Sequence, residues 1–82
     1  SPTPLYPKIA RELGLEGKTI LRVEILKDGQ PGMIEIQESC GHTVLDEAAA
    51  QAVKKWKFSP AQDGLFPIRS MIDLPIRFTI KS

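Results

Sequence analysis

Ile68-Arg69-Ser70-Met71-Ile72-Asp73-Leu74-Pro75-Ile76-Arg77-Phe78-Thr79-Ile80-Lys81 is the stretch whose reading decides the fold. Ile68, Ile72, Leu74, Ile76, Phe78 and Ile80 fall on one face, with Ser70 as the only exception. Arg69, Asp73, Arg77, Thr79 and Lys81 fall on the other. Such alternation predicts one long, half-buried β-strand. Pro75 stands in its middle. Proline has no N–H to give to a ladder, so strand prolines belong at edges or bulges. If the missing N–H points away from the neighbouring strand, the odd-numbered residues Asp73, Arg77 and Thr79 offer backbone groups outward. The sequence itself nominates residues 68–81 as an edge strand. A long edge of this kind is a liability unless something covers or uses it.

The upstream segments supply its partners. Lys18 to Lys27 reads as a strand, with Leu21, Val23 and Ile25 inward and Arg22 and Glu24 outward. Asp28-Gly29 is a hairpin signal, lengthened by Gln30-Pro31-Gly32. Met33 to Glu38 is the return strand, with Ile34 and Ile36 inward. After a loop from Ser39 to His42, Thr43 is a candidate N-cap, and Asp46 approximates a capping box. A helix is expected from Val44 to Phe58, with Leu45, Ala48, Ala49, Ala52, Val53 and Trp56 as its apolar stripe. Asp46 and Glu47 near its start and Lys54, Lys55 and Lys57 near its end suit the helix dipole. A shorter helix opens the domain: Pro7 suits a first turn, Ile9, Ala10 and Leu13 share a face, and Gly14 can stop it. Ser59 to Pro67 reads as a turn-rich connection.

The expected fold is therefore α+β in two layers: a three-stranded antiparallel sheet with two helices packed on one side. A right-handed crossover would set the last strand beside the first. The hairpin's second strand then forms the other edge.

The whole chain is 82 residues with a formal net charge of +1. That length allows one small domain. Residues 1–5, with prolines at 2 and 4, read as the end of a Pro-rich linker, and residues 6–82 as the domain. Basic residues are scattered and form no face, which argues against nucleic acid. No apolar run approaches the roughly 20 residues that span a bilayer.

Catalytic candidates are few. Cys40 and His42, with Asp46 nearby, are the only nucleophile–base set, and two-residue spacing in a short loop rarely aligns thiol and imidazole. Cys40→Ser is expected to be silent. One Cys and one His leave a metal site two ligands short. The expectation is no catalytic residue, no metal and no cofactor. What remains is the edge, which can accept an extended peptide as an added strand. Four or five main-chain bonds at about 1 kcal/mol each, less the ordering cost, give roughly micromolar affinity.

An ordered set of short pieces resembles the TonB C-terminal domain family. These are Tyr6-Pro7, Gly14-Leu15-Glu16-Gly17, Asp28-Gly29, Ser39-Cys40-Gly41, Leu45-Asp46, Trp56-Lys57-Phe58-Ser59-Pro60-Ala61 and Leu74-Pro75-Ile76-Arg77-Phe78. They run from about residue 4 to residue 80. Cys40 departs from the pattern, which has a serine or another small residue there, and Thr3-Pro4-Leu5 replaces a Gln-rich approach. The resemblance implies a periplasmic domain, anchored to the inner membrane by a helix outside this chain and driven by an ExbB–ExbD motor complex. It implies capture of the TonB box of outer-membrane transporters for siderophores, haem or cobalamin. The box would lie beside Asp73, Leu74, Ile76, Arg77, Phe78, Thr79 and Ile80, with Leu5, Tyr6 and Pro7 near the same edge. The competing expectation is a self-associating scaffold, such as a strand-swapped homodimer, built on that edge.

Overall fold

The computed structural model describes residues 4–81. In chain order the elements are α1 (Lys8–Glu12), β1 (Gly17–Ile25), β2 (Pro31–Glu38), α2 (Thr43–Val53), β3 (Ala61–Asp63), β4 (Phe66–Ile68) and β5 (Ser70–Phe78). The main sheet is antiparallel with the order β2-β1-β5. The α+β architecture is the expected one, with β1 in the centre and β2 and β5 at the edges.

One core unites the two layers. Leu21, Val23 and Ile25 of β1 and Ile76 and Phe78 of β5 pack with Ala10 of α1 and Leu45, Ala49 and Val53 of α2. Small alanines on α2 let it lie close to the sheet. In α1 only Ala10 is buried, and Ile9 and Leu13 stay exposed, because a helix of five residues turns little more than one side chain inward. Pro7 is its N-cap, in extended conformation, rather than a residue of its first turn. Gly14, at φ 68, ends it as expected.

The last strand departs from expectation. The alternating stretch divides into β4 and β5 at Arg69. Ser70 pairs with Ile25, the last residue of β1, so residues before Ser70 have no partner left on the main sheet. They fold back on Ala61–Asp63 to form a second, two-stranded hairpin. Gly64, at φ 61, takes the first central turn position, as a type II′ turn requires. The connection read as merely turn-rich therefore contains this hairpin, and its tip exposes Leu65 at 91% and Phe66 at 75%. At the other end β5 stops at Phe78, opposite Gly17 where β1 begins. Thr79 and Ile80 lie just beyond.

Helix α2 stops at Val53, five residues before the expected Phe58. Backbone bonds tighten to three-residue spacing, with Lys55 N–H to Ala52 O at 3.0 Å and Trp56 N–H to Val53 O at 3.0 Å. The chain then turns toward the β1–β2 hairpin, where Phe58 N–H donates to Gly29 O at 2.8 Å. A Cβ on Gly29 would collide with the Phe58 carbonyl, so only glycine permits this approach. Trp56 consequently lies past the helix, half-buried against the core, its ring 6.1 Å from that of Phe58. Lys54 is the C-cap, and Lys55 and Lys57 fall outside the last turn. Strand β2 begins at Pro31 rather than Met33, because Leu26 N–H already reaches Gln30 O at 2.9 Å. Ile34 is half-buried, and Ile36, opposite Leu21 on the same face, is exposed on the edge strand.

The N-cap expectation at Thr43 is also corrected. His42 is the N-cap, and no side-chain cap bond forms. Asp46 reaches elsewhere. Its carboxylate accepts hydrogen bonds from Thr19 Oγ1 at 2.6 Å, from Ser39 Oγ and from Cys40 N–H at 3.0 Å. It is 4% exposed and joins β1, the β2–α2 loop and α2. Burial pushes its pKa up, but bonds from Ser39, Thr19 and Cys40 together outweigh burial and hold it below the ordinary carboxylate value.

A folded pKa below the unfolded one stabilises fully above about pH 4, and that stabilisation is lost as the pH falls through the folded value. Asp46→Asn replaces one of the two accepting oxygens by an N–H₂ and removes the charge, so at least one of the three donors loses its acceptor, at an expected cost of about 1–3 kcal/mol in urea unfolding. It should also flatten the acid-side decline in stability between pH 4 and the depressed folded value. An unchanged decline would place the acid sensitivity on another carboxylate.

Candidate functional site

The outer side of β5 is a regular open edge. All nine residues from Ser70 to Phe78 pair with β1 in unbroken register. Among the described residues no strand lies on its other side. Strand β2, the opposite edge, differs. It starts with a proline, and its register with β1 shifts between Ile20 and Leu21 and again between Val23 and Ile25. Bulges of that kind twist an edge and spoil it as a template. Only β5 keeps a straight row of backbone groups.

Pro75 fixes which groups face out. It stands opposite Ile20. Residues of an antiparallel pair alternately exchange both N–H···O bonds and none. Proline cannot take part in an exchanging pair, so Pro75 and Ile20 form a non-bonded one. The even-numbered neighbours, Leu74 opposite Leu21 and Ile76 opposite Thr19, then bond to β1. Asp73 and Arg77 turn both N–H and C=O outward. Past the strand, Ile80 N–H donates to Glu16 Oε2 at 2.6 Å, on the β1 side. The alternation leaves the Thr79 N–H on the open side.

A strap crosses the end of this edge. The Tyr6 ring meets Phe78 edge to face, with centroids 5.3 Å apart and an interplanar angle of 85°. The Tyr6 hydroxyl donates to the Leu15 carbonyl. The Arg11 guanidinium carbon lies 4.6 Å above the Tyr6 ring. Burial and the Glu16 charge raise the Tyr6 pKa, and Arg11 pulls the other way. Pro4, Leu5, Tyr6, Arg11, Arg77, Phe78 and Thr79 together line a groove of about 430 Å³.

The structure thus brings Leu5 and Tyr6 together with Arg77, Phe78 and Thr79. Pro7 does not line the groove; its carbonyl accepts from Arg11 N–H at 3.0 Å. Asp73, Leu74 and Ile76 lie farther up β5, with Leu74 and Ile76 turned to the core and Asp73 exposed. Ile80 follows the strand, with its N–H already engaged by Glu16. Sequence reasoning missed Pro4 and Arg11. Pro4 was assigned to the linker. Arg11 carried no signal in the periodicity, because its role comes from stacking on a tyrosine five residues earlier.

Cys40 has a packing role. Its Sγ donates to the His42 carbonyl at 3.6 Å and makes no bond to the imidazole. A Cβ on Gly17 would lie 2.7 Å from Cys40 Cβ, so loop and strand touch where both residues are small. That contact explains glycine at position 17.

The fold and its ordered motifs match known proteins. Residues 2–80 match the family described as Gram-negative bacterial TonB protein C-terminal. Protein tonB2 of Pseudomonas aeruginosa is 41% identical over 80 residues, covering 98% of this chain and 30% of that protein. Protein TonB of Vibrio cholerae is 38% identical over 79 residues, covering 95% of this chain and 32% of that protein. The solution structure of the Pseudomonas aeruginosa TonB C-terminal domain superposes with a TM-score of 0.83 at 29% identity, over 100% of this chain and 82% of that one. The Helicobacter pylori TonB C-terminal domain gives 0.75 at 28% identity, over 96% and 71%. The chain belongs to the family of TonB C-terminal domains. It spans 30% and 32% of the two curated relatives named here.

The strap's hold on the edge is testable. Tyr6→Ala removes both the ring contact with Phe78 and the bond to Leu15. Amide exchange at Leu15 and Arg11 should quicken by about tenfold or more, while Val23 in the core strand stays protected. Unchanged exchange at Leu15 would mean that Ala10 packing alone holds α1.

Proposed function

We propose that this domain is the periplasmic, transporter-gripping part of a TonB-type energy transducer. It binds the TonB box of an outer-membrane transporter as an added strand along β5. Its work is binding, not catalysis. In the whole protein, an inner-membrane helix engages an ExbB–ExbD motor, and a Pro-rich spacer carries the pull to this domain. The pull remodels the transporter plug and admits a siderophore, haem or cobalamin.

The observation that carries this reading is the contrast between the edges. Proteins blunt exposed edges with prolines, bulges and charge. This chain blunts β2 and leaves β5 straight. Pro75 costs the outer row one donor, yet the Asp73, Arg77 and Thr79 N–H groups remain. On the order of four or five main-chain bonds, less the cost of ordering a flexible peptide, support micromolar affinity. A grip of that strength forms and releases, as a cycling transducer requires. Family membership supports the same function, since the relatives named above are TonB proteins.

The test is an NMR titration of the isotope-labelled domain with a TonB-box peptide. Amide shifts should concentrate between Asp73 and Lys81 and saturate at micromolar peptide. Thr79→Pro, which removes one outward N–H, should abolish binding with the fold retained. Full affinity in a folded Thr79→Pro domain would sink the strand-addition model. No shifts with several boxes, together with a concentration-dependent mass, would favour self-pairing of the same edge in a scaffold.

A further inference from the structure

The β3–β4 hairpin leaves the main sheet at the end opposite the strap. It leads into Ser70, which pairs with Ile25, whereas the strap meets Phe78, which pairs with Gly17. Ala61 pairs with Ile68 at its base and Asp63 with Phe66 at its tip. At roughly 3.3 Å per residue the tip stands about 10 Å beyond the base. The side chains there are apolar and open, with Leu65 91% exposed and Phe66 75%. Pro67 follows and stiffens the finger.

Cations gather at its base. The bond from Phe58 N–H to Gly29 O brings the chain leaving α2 against the β1–β2 turn just before β3 begins. These two segments carry Lys27, Lys54, Lys55 and Lys57, all exposed and, among the described residues, outside any ion pair. The carboxylates at this end are Glu24, Asp28 and Asp63. Glu24 is taken by Arg69, and Asp28 accepts from Gln30 N–H at 3.0 Å. The lysines outnumber the two remaining carboxylates, so this end of the domain is positive.

We propose that the finger is a wedge for an anionic phospholipid surface, with Leu65 and Phe66 entering the headgroup layer and the lysines at its base meeting lipid phosphates. This surface is separate from the β5 edge. Its length fits: apolar groups at a membrane interface bury about 5–10 Å deep, which leaves the base level with the phosphates. Its size argues against a protein partner. Two side chains offer on the order of 300 Å², against roughly 800 Å² per partner in a stable protein interface. Each cation near an anionic surface adds attraction. Asp63, across from Phe66, limits the depth to the hydrated headgroups. The strap lies at the other end and leaves the finger clear.

The experiment is co-sedimentation of the domain with vesicles of phosphatidylglycerol and phosphatidylethanolamine in equal parts, and with phosphatidylcholine alone. At low salt the domain should partition about tenfold better onto the anionic vesicles. Replacing both tip residues, Leu65→Ser with Phe66→Ser, should lower that partition about tenfold. These side chains are exposed, so the amide spectrum should keep the parent's dispersion. Lys55→Gln with Lys57→Gln should lower it comparably, and added salt should erase the difference between this variant and the parent. No sedimentation with anionic vesicles at low salt would overturn the wedge. Equal sedimentation of parent and tip variant would overturn it too, leaving surface charge alone. So would a concentration-dependent mass that the tip variant abolishes without any vesicle binding, since a second copy would then cover the tip. None of these outcomes bears on peptide capture, which is read from amide shifts between Asp73 and Lys81.

Discussion

The carboxylate of Asp46 holds the two layers of this domain together. An 82-residue chain has little apolar surface to bury, and its helix meets the sheet through the short line of Leu45, Ala49 and Val53. Such a contact resists separation but does little to fix sliding. The buried carboxylate supplies the missing constraint. It takes one donor from β1, two from the loop after β2, and stands on α2. Each donor matters because a buried charge without hydrogen bonds is costly. With β1 held against the helix, the positions of both edges follow.

The edges then receive opposite treatment. Strand β2 opens with Pro31 and breaks register twice. Strand β5 runs nine residues without a shift, and its proline is placed where the missing N–H leaves the β1 ladder intact. The strap from Pro4 to Tyr6 meets the far end of β5 through the Tyr6–Phe78 contact, while the Tyr6 hydroxyl bonds Leu15 and Arg11 of α1 stacks on the ring. On the proposed function, a pull entering through the N-terminal segment would meet the sheet beside the edge that carries the load. The core strand β1 lies one strand away from that path.

Much of this was legible in the chain. Alternation in 68–81 placed a half-buried strand, Pro75 marked it as an edge, and Leu45, Ala49 and Val53 marked the buried face of the helix. The hairpin at Asp63-Gly64 was missed although it carries the same Asp-Gly signal as Asp28-Gly29, because the apolar alternation around it is short. Asp46 looked like half of a capping box. Local spacing offered that role, and Thr19, 27 positions away, took the carboxylate instead.

The sequence by itself determined which elements form, which faces are apolar and which strand can stand at an edge. Those properties depend on the period of side chains along one segment and on the chemistry of proline, and both are local. The tertiary structure alone decided where the long alternating stretch breaks, where α2 stops, and that Arg11, Tyr6 and Arg77 share one groove. Each of these depends on how far a partner extends: β1 has no residue to offer beyond Ile25, and Gly29 draws Phe58 out of the helix. Partner length and approach are properties of the assembled layers, and no single segment carries them.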